Sequence, residues 1–128
     1  MNNYDEFCDF MEEYIDFYNE VSDNEKLRLD ALASDDLQLI NKVLADYQVY
    51  VTKAEIYEKR RNELFKKIGL DGKSFREIVD METGERREEL EDLFYDFRDA
   101  VMSARDYNSQ SLDLVKKNLK EKDYLQQK

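Results

Sequence analysis

An all-α fold, an elongated antiparallel up-down bundle of three long helices with a short helix in the joint before the last, is predicted by three features of the sequence. All three glycines, Gly69, Gly72 and Gly84, fall inside one sixteen-residue window, and the 128 residues include no proline. Glycine and proline are the strongest local breakers of helix, so the 68 residues before that window and the 44 after it are free to be helical for most of their length. Apolar residues recur at helical spacing through both arms. Charged residues make up 40% of the chain and its mean hydropathy is -0.86, which leaves material for thin apolar seams but not for a thick core. Hydrophobic residues at 41%, with seven Phe and nine Tyr, still suffice to drive collapse. The expectation is one domain over 1-128, with helices at about 3-33, 36-68, 75-81 and 85-122.

On a helical wheel, Tyr4, Phe7, Cys8, Phe10, Met11, Tyr14, Ile15, Phe17, Tyr18 and Val21 share about half the circumference, and Asp5, Glu6, Asp9, Glu12, Glu13, Asp16, Glu20 and Asp23 take the rest. So wide an apolar face implies contact with more than one neighbour. Ser22, Glu25 and Arg28 then fall on the inward side before Leu29 and Leu32 restore it, so this level is expected to be wet or open. Ser34, Asp35 and Asp36 supply N-cap candidates where the periodicity restarts. Leu37, Ile40, Leu44, Tyr47, Val51 and Ala54 continue at 3-then-4 spacing, followed in the same stripe by Glu58, Arg61, Phe65 and Ile68. Lys66 and Lys67 suit the negative end of this second helix, and Gly69 suits a left-handed cap.

Within the joint, Ser74-Phe75-Arg76-Glu77 has the form of a capping box and opens the short helix. Gly84 clears the way for the last arm. Its seam is Leu90, Phe94, Phe97, Val101 and Ala104, flanked by Leu93 and Ala100. Past Ala104 the stripe becomes Asn108, Ser111, Val115 and Asn118, so the helix is less committed to an internal core. The stretch from Lys116 onward is polar and expected to fray.

The chemistry in these arms is sparse. With no histidine, the chain lacks the commonest general base and metal ligand, and no Ser-His or Cys-His pair can form. Cys8, the one cysteine, sits among Asp5, Asp9 and Glu12, whose charge discourages a thiolate; packing is favoured over reactivity. Gly69 to Ser74 ends in Gly-Lys-Ser but lacks the glycine spacing of a phosphate loop. The carboxylates of the first arm face outward with no His to complete a di-metal shell, and Glu25 and Glu58 are expected to meet Arg28 and Arg61 as a polar layer. No catalytic residue, cofactor or metal site is expected.

Residues 1-36 carry a net charge of -10 out of the chain's -11. Such a surface repels phosphate backbones and anionic headgroups, which argues against nucleic acid and membrane partners and leaves a solvated face or a basic protein partner. No leader-like or membrane-spanning stretch is present, and a lone cysteine agrees with a reducing compartment, so a cytoplasmic location is expected.

The order of segments from about residue 25 to 119 is more specific. The run from Leu37 ending in Glu58-Lys59-Arg60-Arg61-Asn62-Glu63-Leu64, then Ile68-Gly69-Leu70, the short Ser74-Phe75-Arg76-Glu77-Ile78-Val79, and a last helix bearing Asn108, Leu114, Val115 and Leu119 resembles the FlgN family of flagellar export chaperones. Ser111 stands where that family usually has a second Asn. The resemblance implies a cytoplasmic chaperone of type III export that binds hook-associated junction proteins and passes them to the export apparatus. The expected contact residues are Tyr107, Asn108, Leu112, Leu114, Val115 and Leu119, whose apolar members exceed what one narrow seam needs. The alternatives are that these residues pack on the first helix or on a second copy in a homodimer, or that the chain is a scaffold that self-associates through its aromatic face.

Overall fold

A computed structural model describes residues 3-126, with the side chains of residues 119 and 121-126 outside the description. Its elements are α1 (Tyr4–Ser34), α2 (Leu37–Lys67), α3 (Phe75–Asp80) and α4 (Gly84–Gln126), with no strand among the described residues. The all-α bundle expected from the sequence is therefore present, with the short helix in the joint before the last arm.

Local chemistry fixes the boundaries from the end of α1 to the start of α3. Asp35 adopts a left-handed φ of 58° between α1 and α2. Ser34 Oγ donates to the Ala31 carbonyl at 2.7 Å and accepts from the Asp36 N–H at 3.2 Å. Of the three cap candidates it is Asp36 that caps α2, its Oδ1 accepting from the N–H groups of Gln38 and Leu39 at 3.0 and 3.2 Å. At the other end of α2, the Leu70 N–H reaches the Phe65 carbonyl at 2.7 Å and the Gly69 N–H reaches that of Lys66 at 3.3 Å. These are the two bonds of a Schellman motif, with Gly69 at φ +78° and Leu70 folded back into the core against the level of Phe65. Ser74 and Glu77 close the capping box, Ser74 Oγ accepting from the Glu77 N–H at 3.1 Å.

α1 is the central helix. α2 runs antiparallel to it, as the contacts Glu6 with Lys67, Glu13 with Arg60 and Arg28 with Tyr47 show. α4 runs parallel to it, since Tyr4 meets Glu89, Tyr14 meets Phe97 and Ser22 meets Ser103. α3 packs on α4. Among the described residues, α2 and α4 do not approach one another within 8 Å between Cα atoms. From the pairing of Ser22 with Ser103, α4 outruns the end of α1 by about three turns.

The core is concentrated at the proximal end, where α1 begins and α2 finishes. Phe7, Phe10, Met11, Tyr14 and Phe17 of α1 join Phe65, Leu70, Ile78, Val79 and Leu90 in one cluster. Tyr57 lies stacked on Phe17 and Tyr14, with ring centroids 4.6 and 5.6 Å away. Rings at such distances add to the area they bury. The aromatic face of α1 is thus consumed inside the chain.

Four expectations are corrected. The level of Ser22, Glu25 and Arg28 is not open: all three are buried, Ser22 and Ser103 hydroxyls meet at 2.6 Å, and Glu25 pairs with Arg28 at 2.9 Å. Glu58 is exposed, so no layer forms with Arg61, whose guanidinium lies over the Phe65 ring. On α2, Ile40, Tyr47, Ala54, Arg61 and Ile68 do lean inward, but their companions are Val43, Tyr50, Tyr57 and Leu64, while Leu37 and Leu44 are exposed. α4 stays helical through Gln126 where fraying was expected from Lys116.

Candidate partner-binding groove

Because α2 and α4 both lie on α1 without meeting, a trough runs between them with α1 as its floor. Phe7, Tyr14, Tyr18, Val21 and Glu25 share this strip of α1 by helical spacing. At the proximal end the strip is covered. Phe75 of α3 sits 5.6 Å from Phe7, 5.5 Å from Phe94 and 6.1 Å from Phe97 between ring centroids, and Ile78 and Val79 are fully buried beneath it. α3 therefore covers this strip of α1 for less than two turns.

Beyond Phe97 the cover stops and a cleft of about 290 Å³ opens. Its floor is Phe17, Tyr18, Val21 and Glu25 of α1. Tyr47, Tyr50, Val51 and Ala54 form the α2 wall. Val101, Ala104, Arg105 and Asn108 form the α4 wall. Burial pushes the Tyr50 phenol above its ordinary pKa, and the carboxylates of Glu20, Asp46 and Asp23 act in the same direction. By the same helical spacing the α2 wall extends through Leu44 to Leu37, which is 74% exposed. The α4 wall extends through Leu112 to Val115, at 52% and 38% exposure. Leu29 and Leu32 of α1, both half-buried, continue the floor.

The six residues expected to contact a partner divide between faces. Asn108 lines the cleft, and Leu112 and Val115 carry its wall onward. Tyr107 and Leu114 are half-buried on the opposite flank of Ser111, which is itself buried to 1% against the bundle. The Leu119 side chain lies outside the described residues. Sequence reasoning missed the floor and the α2 wall, although the column Leu37, Leu44, Val51 was visible as apolar residues in heptad register.

A second cleft, about 590 Å³, lies between α1 and α4 on the other side, where Asp5, Asp9, Glu12, Glu89, Asp92 and Asp96 surround Tyr4 and Cys8. The Tyr4 hydroxyl donates to Glu89. Burial raises the Cys8 thiol pKa and the charges of Glu89, Glu12 and Asp5 add to this, with the Tyr4 hydrogen bond opposing, so the thiol is poorly disposed to ionise. Among the described residues no three His, Cys, Asp or Glu side chains converge so as to hold a metal ion. No described helix is long and apolar enough to cross a membrane.

Compared with known proteins, the chain matches no family model, no curated protein and no solved structure.

Proposed function

We propose that this chain is a cytoplasmic flagellar export chaperone of the FlgN kind, which holds a terminal amphipathic helix of a hook-associated junction protein and keeps it competent for type III export. The observation that carries the reading is the open trough between α2 and α4, walled by Val51, Ala54, Val101 and Ala104 and continued by exposed Leu37, Leu44, Leu112 and Val115. A helix laid in it would pair its apolar stripe with these walls and continue the cover that α3 gives only proximally. The order of segments resembling the export chaperones supplies the client class. Handing the client to the export apparatus follows from that class and needs a surface that remains available in the complex, such as the outer faces of α2 and α4.

The competing scaffold reading relied on the aromatic face, which is buried in the chain's own core. Self-association through the trough would exclude a client.

The test is calorimetric titration of the purified chain with peptides spanning the terminal helices of the hook-associated proteins of its own organism, with sedimentation of the chain alone. Saturable binding by one of them, lost in Ala54→Glu, supports the proposal. A stable dimer that binds none of them contradicts it.

A further inference from the structure

Glu25 occupies the middle of the groove floor, seven residues from Tyr18 on one side and from Leu32 on the other, with Val21 and Leu29 between. Its side chain is 4% exposed. Arg28 Nη2 approaches Oε2 at 2.9 Å, yet the geometry leaves Oε2 without a hydrogen bond, and Arg28 Nε has none either. The Arg28 guanidinium is drawn sideways over the Tyr47 ring, 4.5 Å from its centroid. A buried carboxylate offers about four acceptor positions, and leaving them unfilled away from water is costly. Oε2 is already closed off from solvent in the free chain, although Glu25 lines the open cleft. A helix seated in the groove would seal it.

What the occupant places opposite Glu25 therefore matters more than any other contact. An apolar residue would shut in a carboxylate whose hydrogen bonding is incomplete. An acidic residue would add a like charge. A lysine or arginine would bring a donor and a second positive charge to the Glu25 carboxylate, and the chain's net charge of -11 favours the approach of a basic segment. Arg105 and Asn108 stand on the α4 wall of the same cleft, and a long basic side chain can pass Asn108 with its methylenes on Val21 and Ala104.

We infer that the groove takes an amphipathic helix of about four turns whose apolar stripe is interrupted near its middle by one lysine or arginine that pairs with Glu25. The inference rests on the groove-binding reading above and specifies the occupant's chemistry. Apolar residues one heptad either side of the basic residue meet the levels of Tyr18 and Leu32.

Two isomeric fluorescent peptides test this, each a helix with a leucine stripe and a single central exchange. In one, lysine stands at the middle of the stripe; in the other, that lysine is on the polar face and leucine completes the stripe, so net charge and composition are equal. Anisotropy titration of the full chain is expected to give about tenfold tighter binding of the stripe-lysine peptide, and the double variant Glu25→Met with Arg28→Met is expected to abolish or reverse the preference. Glu25→Gln, which keeps the shape, gives the same readout should the double variant fail to fold. Tighter binding of the all-leucine stripe to the native chain, or a preference unchanged by both variants, overturns the inference while leaving the groove intact as a binding site. Binding of neither peptide overturns the groove-binding reading with it.

Discussion

Phe75 of α3 stands edge-on to Phe7 of α1, ring centroids 5.6 Å apart and planes at 74°, and this contact ties the glycine-flanked joint to the floor of the bundle. Phe7 also meets Phe65 of α2 at 5.8 Å, so one fully buried ring joins α1, α2 and α3. Phe75→Ala removes a half-buried ring with three aromatic neighbours. Destabilisation of roughly 2–3 kcal/mol is expected, below the usual range for a fully buried Phe, as a lower urea midpoint at unchanged slope. A loss smaller than about 1 kcal/mol would mean that α3 is not docked as described.

The Glu25–Arg28 pair is the buried charge of the distal half, the two side chains 4% and 10% exposed. Arg28→Met leaves the carboxylate uncompensated and is expected to cost about 3–5 kcal/mol, whereas replacing both residues by Met is expected to cost far less than the single change. Urea unfolding of the two variants checks this, and equal losses would show that the pair is not coupled.

At the α1–α2 surface, Arg60 forks onto Glu13 with Nη1 and Nη2 at 2.8 and 2.9 Å, and Tyr57 donates to the same carboxylate at 3.0 Å. The Arg60 hydrogen bonds hold the Glu13 pKa below its ordinary 4.5. A carboxyl depressed in the folded state stabilises above the unfolded value, and the contribution disappears as pH falls through the folded one. Both side chains are nearly half exposed, so Glu13→Gln is expected to cost less than about 1 kcal/mol at neutral pH. The difference from the native chain, followed by urea unfolding, is expected to shrink as pH drops below 4.5. A difference that grows on acidification would contradict the pairing.

Tyr4 and Tyr14 have phenol pKa values raised well above 10, mainly by burial, with Glu89 adding to the first and Tyr18 to the second. Groups raised in the folded state stabilise below the unfolded pKa and lose that contribution as pH climbs beyond it. Phenolate absorbance is expected to rise in two stages, exposed tyrosines first and these two only with loss of helical circular dichroism. A single stage completed while the chain remains helical would place both rings in water.

Much of the fold was legible in the sequence because its punctuation is local. Gly69 marks a Schellman turn and Ser74 a capping box, and each acts within six residues, as the observed bonds show. The centring of α2 was not legible. Its apolar residues fill two heptad columns, one containing Leu37, Leu44 and Val51 and the other Val43, Tyr50 and Tyr57, on either side of Ile40, Tyr47 and Ala54. A helix with a single neighbour needs only one of those outer columns, and spacing alone does not say which. α1 took the second column, and the first was left facing the groove. The surplus on α4 was legible as residues 107-119, but its division between two flanks follows from Ser111 facing inward, and a serine gives no apolar signal of burial.

The central claim is that a partner helix lies between α2 and α4 on α1. Photoreactive phenylalanine analogues placed one at a time at Val51 and Val101, on the facing walls, and at Tyr95, exposed on the face of α4 turned away from α1, test it most directly. In complex with the junction-protein helix found by titration, cross-links from both wall positions and none from position 95 are predicted. A complex that forms but cross-links only from position 95, or from neither wall, would contradict the account.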